Sequence, residues 1–276
     1  MTVVLCGVAG DTGNVRPVPE VDETGRVEYV PIPEKGPTSE TATYGSIPCR
    51  HGEGVLADRL TGVRPNSEGA WLTGEALRSQ PVHHDPNLGA LTYGEHRPGY
   101  VAALRDLEPG DAVGFYAGFL TPDSGYKHRH LFGWFEVSEP PTVCAPDEDA
   151  TQVERKLAAH PENAHAKRYA GNGALYYHDP AFTDRPRDVV VVTGERGGLL
   201  DRAVRLSDAR HGPNYYMDEA VADVLAPTRR TDRGVYLGGI KPAVTCDVEP
   251  SRFASFATAR RRNSKPTSPS RTEDDA

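Results

Sequence analysis

The first apolar run, TVVLCGV (2–8), is rich in β-branched residues and closes on glycine, which predicts a buried strand. RVEYVPIP (26–33) alternates Val27, Tyr29 and Ile32 with polar neighbours, and Pro31 and Pro33 place it at a sheet edge or strand end. Residues 34–50 carry no periodicity and read as loop. From about residue 100 the pattern sharpens. YVAALRDL (100–107) has helical spacing and stops at the Pro-Gly turn of EPGD (108–111). AVGFYAGFL (112–120) and HLFGWFEV (130–137) are continuous apolar runs joined by a polar connector, and together they predict a hairpin in the core of a sheet or barrel.

DATQVERKLAAH (149–160) predicts an amphipathic helix, with Asp149 or Thr151 as its cap. ALYYH (174–178), DVVVVT (188–193) and AVRLS (203–207) read as strands, and MDEAVADVLA (217–226) as a short helix ending before Pro227. The last stretch is polar, rich in Pro and Ser, and aperiodic. The expected organisation is therefore one α+β domain over 1–256, a β-rich mixed sheet with flanking helices and long loops, followed by a disordered tail over 257–276.

Composition narrows the functional classes. No apolar run reaches the roughly 20 residues that span a bilayer, and MTVVLCGVAGDTG lacks the basic and apolar regions of a signal peptide. A cytoplasmic protein without membrane partners is expected. Cys6, Cys49, Cys144 and Cys246 are scattered without CxxC spacing, so free buried thiols are expected rather than a zinc finger or redox pair. The net charge of −8 argues against an electrostatic clamp on nucleic acid, leaving any such contact to a local basic face.

The candidate chemistry sits on turns. GVAGDTG (7–13) follows a strand but lacks the Gly-Lys-Ser/Thr ending of a phosphate loop, which leaves Asp11 and Asn14 on a glycine-loosened turn. QPVHHDPNLGALTYGEHRPG (80–99) gathers three histidines, two acids and Arg97 on a poor helix and a poor strand. His83 and Asp85, one residue apart, project to the same side in extended backbone, and Pro86 favours that backbone. Such a pair suits a general base or two ligands of a metal, the plain alternative being a polar loop whose side chains cap turns. His128 and His130 repeat the spacing before the strand at 130–137, as if to converge on the same site. Ten histidines could supply a divalent metal with Asp11 or Asp85, yet no HExxH-like signature identifies one, and the cofactor stays undetermined. Most aromatics must be core, but rings at strand ends such as Tyr116 and Trp134 could stack on a base.

The order of these motifs resembles the nucleotide modification associated domain 3 family. The resemblance rests on GDTGN (10–14), ETGRVEYVPIPE (23–34), HHDPNL (83–88), GDAVGFYAGF (110–119), HLFGWFEV (130–137), AHPEN (159–163) and NGALYY (172–177). Asn87 stands where the family pattern has a second acid, and Glu162 where it has a second histidine, which weakens a metal reading that takes those positions as ligands. What the resemblance implies is a place among systems that modify bases in DNA, with DNA or a nucleotide as partner, together with other components of such a system. It implies no particular reaction. The concentration of acid, base and cation on turns at strand ends makes Asp11, His83, Asp85, His128 and His130 the candidate catalytic groups. Asn14, Asp111, His160 and Asn172 become candidate substrate contacts, with Arg97 or Arg129 on a phosphate and Tyr116 or Trp134 on the base. The central hairpin is also similar to PUA-like, partly closed barrels such as EVE and ASCH domains, a fold-level likeness that carries no function. Two readings follow: an enzyme acting on a base or nucleotide, or a non-catalytic module that holds a modified or flipped base.

Overall fold

Alternation along the first strand, β1 (Val3–Gly7), sets the architecture. Val3 and Leu5 join the apolar cluster on one face of a sheet, Val4 and Cys6 the cluster on the other, and all four are fully buried. A continuous apolar run is what a strand covered on both faces requires. A computed structural model describes residues 1–8, 13–66, 68–121, 126–175, 177–179, 183–208, 215–238 and 243–259. In chain order, β2 (Val15–Arg16), β3 (Ile32–Pro33), β4 (Gly62–Val63), α1 (Gly74–Arg78) and β5 (Val82–His83) follow β1. Next come β6 (Thr92–Glu95), α2 (Pro98–Leu104), β7 (Ala112–Leu120), β8 (Lys127–Val137), β9 (Thr142–Cys144), α3 (Ala150–Ala158) and α4 (Ala164–Asn172). The described chain ends with β10 (Val189–Arg205), α5 (Glu219–Leu225), β11 (Val244–Cys246) and α6 (Pro250–Thr258).

The result is a mixed α+β fold. Its main sheet runs β11-β1-β7-β8-β10-β6, with β9 also paired to β10, and curls into a half-barrel. Among the strands of the described residues only β1 and β7 pair with each other in parallel; their connection holds everything from residue 8 to 111. The predicted hairpin is present, with β7 and β8 antiparallel from Ala112↔Glu136 to Leu120↔Lys127. One face of the sheet is covered by α2 through Tyr100, Val101 and Leu104, the other by α5 and α6 through Val221, Leu225, Phe253 and Phe256. Two smaller cores lie beside it. One, built on Val15, Tyr44, Leu56, Val63 and Val82, belongs to the long β1–β7 connection; the other packs α3 and α4 against β9 and β10.

Several elements depart from the sequence pattern. Between 26 and 33 only Ile32–Pro33 forms a strand, pairing with β5, because Tyr29 and Val30 are buried from an irregular backbone instead. Residues 188–193 and 203–207 are not separate strands: β10 runs through both, bent by irregularities at Gly194/Arg196 and Leu199/Val204. The described residues of ALYYH (174–178) form no strand, since Gly173 ends α4 in the left-handed region (φ 74°) and His178 N donates to Leu175 O in a turn. Helix α3 is capped by Asp149, whose side chain accepts from Thr151 N at 2.8 Å. Helix α6 extends to Thr258, and residues 260–276 of the expected tail lie outside the described residues. No described helix is long and apolar enough to cross a membrane.

Candidate functional site

The histidine-rich loop is a folded bridge between two sheets. His83 ends β5, in the small sheet with β3, while Thr92–Glu95 form β6 on the main sheet. Between them, Asn87 and Thr92 exchange backbone hydrogen bonds of 2.9 and 3.0 Å, and the Asn87 side chain accepts from Gly89 N and Ala90 N. Tyr29, stacked on Phe132, donates its hydroxyl to Pro86 O at 3.1 Å and anchors the loop from below. The turn therefore brings Asp85 alongside β6, where Gly94 N donates to Asp85 Oδ1 at 2.8 Å.

Helix α4 supplies the third group. Asn163 caps it, accepting from His165 N at 2.9 Å and donating to Thr92 Oγ1 at 3.1 Å, which ties the helix start to β6. His165 then lies against Gly94, where a Cβ would overlap the imidazole and sit 3.0 Å from its Nε2. Asp85 Oδ2 is 3.3 Å from His165 Nε2 and 3.7 Å from His83 Nε2. One ligand atom from each of the three residues falls within 4.8 Å of the others, and all three side chains are less than a tenth exposed.

Behind His83 stands an ion pair. Its Nδ1 is 2.9 Å from Glu34 Oε2, and Glu34 also accepts from Arg168, one helical turn beyond His165. Burial alone would raise the Glu34 pKa, but the hydrogen bonds to His83 and Arg168 and the charge of Arg168 outweigh it and bring the carboxyl down to about 2. Burial and the neighbouring Arg168 hold His83 below the usual imidazole range, so the ring is neutral at pH 7. His83 Nδ1 lies between Glu34 Oε2 and Arg168 Nη2, which is 3.1 Å away; in the tautomer that donates Nδ1–H to Glu34, Nε2 is an acceptor facing Asp85 and His165.

The rest of the segment frames this centre. Glu95 accepts from Tyr93 Oη, from the backbone of His96 and Arg97, and from the Arg97 guanidinium at 2.6 Å, so its carboxylate is saturated. His96 stacks on Tyr177 and lies 6.1 Å from the His165 ring; its buried Nδ1 has no hydrogen-bond partner among the described residues.

The other sequence candidates are placed elsewhere. Asp11 lies outside the described residues. Asn14 donates to Arg64 O, and Arg97 serves Glu95 and packs over Tyr100. Asp111 accepts from Thr2 N and Glu108 N, bracing the turn into β7. The second histidine pair does not join the cluster: His128 Nδ1 meets Ser207 Oγ, and His130 Nδ1 meets the His128 carbonyl. Tyr116 is buried in the sheet, Arg129 lies over Tyr215, and Trp134 packs edge-on to Phe253. His160 bonds Thr142 near the end of α3, and Asn172 closes α4.

The sequence reading missed Glu34, His165 and Arg168 as site residues, and α4 altogether. A signal was present: an Asn cap, an alanine-rich stretch with His165 and Arg168 three apart on one face, and Gly173 at the end. It was masked because the buried face of α4 is Ala, His and Arg, so apolar periodicity does not mark it.

A family model described as nucleotide modification associated domain 3 matches residues 2–234. No curated protein and no solved structure matches the chain.

Proposed function

The chain belongs to the nucleotide modification associated domain 3 family, and from that premise we propose that it is an enzyme modifying a nucleotide, or a base in nucleic acid, at the His83–Asp85–His165 centre. The observation that carries this reading is the buried convergence of two imidazoles and a carboxylate from three separate elements. A loop that merely caps turns would leave these groups in solvent. Held at a junction of cores, they form a preorganised acid–base or ligand set, with the His83 ring oriented through Nδ1 by Glu34 and Arg168.

The alternative, a module that reads a base by stacking, draws less support. It needs a free aromatic face, whereas Tyr116 is 2 % exposed and Trp134 packs against Phe253.

The test compares nucleosides by mass spectrometry in DNA and RNA from cells with the gene, without it, and complemented with Asp85→Ala. A modified nucleoside that vanishes in both the deletion and the complement is the expected result. Unchanged nucleosides in the deletion would overturn the enzyme reading.

A further inference from the structure

We propose that His83 Nε2, Asp85 Oδ2 and His165 Nε2 are the protein ligands of one divalent first-row transition-metal ion, with Glu34 as the residue that orients His83. The inference deepens the reading above and rests on it only for the substrate, not for the ion.

Geometry comes first. A metal bound at about 2.0–2.2 Å by imidazole nitrogen and carboxylate oxygen holds its donors roughly 3 to 3.5 Å apart. Asp85 Oδ2 already stands 3.3 and 3.7 Å from the two imidazole nitrogens. Two of the three donors are held by their other atom: Asp85 Oδ1 by Gly94 N, His83 Nδ1 by Glu34. A histidine donating its far nitrogen to a carboxylate is the usual outer support of a metal-bound imidazole.

Charge supplies a second, independent argument. Glu34 is matched by Arg168 and Glu95 by Arg97. Asp85, 6 % exposed at its side chain, has only His83 and His165 as ion-pair partners among the described residues. A buried carboxylate between imidazoles is stable when a cation shares the space, because buried charges are otherwise expelled or paired.

The donor set selects the ion. Two nitrogens and one oxygen suit Zn, Fe, Co or Mn. Mg and Ca prefer all-oxygen shells, and no thiolate is present for a soft ion. Three protein ligands leave positions open for water or substrate.

The experiment uses the untagged full-length chain, stripped with chelator and dialysed separately against Co(II), Zn(II), Mn(II) or Mg(II). Metal content is read by elemental analysis, and cobalt also by its visible d–d bands. About one transition ion per chain is expected, with Mg not retained. Asp85→Asn keeps the Gly94 hydrogen bond and should fold, yet lose metal affinity by more than tenfold; Glu34→Gln should weaken it by about 10–100-fold. His51→Gln, remote from the three ligands in the sequence, should retain the ion.

Folded wild-type protein that holds no stoichiometric ion, or an ion indifferent to Asp85→Asn, overturns the proposal. The two readings separate cleanly. An Asp85-dependent nucleoside without a bound ion would keep the enzyme and remove the metal. A bound ion with unchanged nucleosides would keep the metal and remove the modification.

Discussion

Gly94 yields its side-chain volume to His165: a Cβ at 94 would overlap the imidazole, and the nearby Asn163 Oδ1 would be 3.0 Å away. The strand cannot easily retreat, because Gly94 is paired with Val191 in β10. Gly94→Ala is therefore expected to cost about 1–3 kcal/mol through overpacking and to push His165 away from Asp85. Urea unfolding would measure the first effect, and the Asp85-dependent nucleoside signal the second. Wild-type values in both would show that the close approach is not required.

Glu34 links acid stability to the site. Its carboxyl, near 4.5 in an ordinary setting, is lowered to about 2 in the fold. A depressed folded pKa contributes stability that is complete above 4.5 and is lost as the pH falls towards 2. Removing the charge in Glu34→Gln takes the carboxylate away from the buried Arg168 guanidinium, so a loss of roughly 3 kcal/mol is expected at pH 7. Below pH 4.5 the unfolded chain takes up a proton on Glu34 that the folded protein binds only near 2, so the gap between variant and wild type should narrow. Urea titrations across this range check the sign; a gap constant with pH would contradict it.

Trp134 separates packing from recognition. Its ring meets Phe253 of α6 at 6.0 Å and 89°, part of the core between the sheet and the C-terminal helices. Trp134→Ala is expected to destabilise the fold by up to about 3 kcal/mol while leaving nucleic-acid or nucleotide binding by the folded fraction unchanged. Binding lost in a protein of undiminished stability would restore the base-stacking module.

Three of the four cysteines should be chemically silent. Burial pushes the Cys144 thiol up to about 11 and Cys246 up to about 12, and burial with the nearby Glu95 raises Cys6 as well. At pH 8 the thiolate fraction of Cys144 and Cys246 is on the order of one in a thousand or less. Iodoacetamide followed by mass spectrometry should leave Cys6, Cys144 and Cys246 unlabelled until denaturant is added. Rapid labelling in the native state would show that one of them is activated.

Local chemistry legible in the sequence reappears where interactions are short-range. Asp149 capping α3, the β7–β8 hairpin and the buried first strand all follow from patterns spanning a dozen residues or so. The spacing of His83 and Asp85 likewise leaves their side chains 3.7 Å apart. What such patterns miss is illustrated by His128 and His130, which share that spacing yet turn to Ser207 and their own strand. Identical local geometry leads to different partners because the neighbours come from elsewhere in the chain.

The sequence by itself determined the fold class, the principal strands and the pairing of one histidine with one acid, since alternation, capping and turn chemistry act between near neighbours. Only the tertiary structure decided that Glu34, His165 and Arg168 complete the centre. They arrive from β3's end and from a helix whose buried face is polar, brought together by the glycine at 94 and the cap at Asn163. Buried polar groups are stable only when their partners meet in space, and that meeting leaves no periodic trace along the chain.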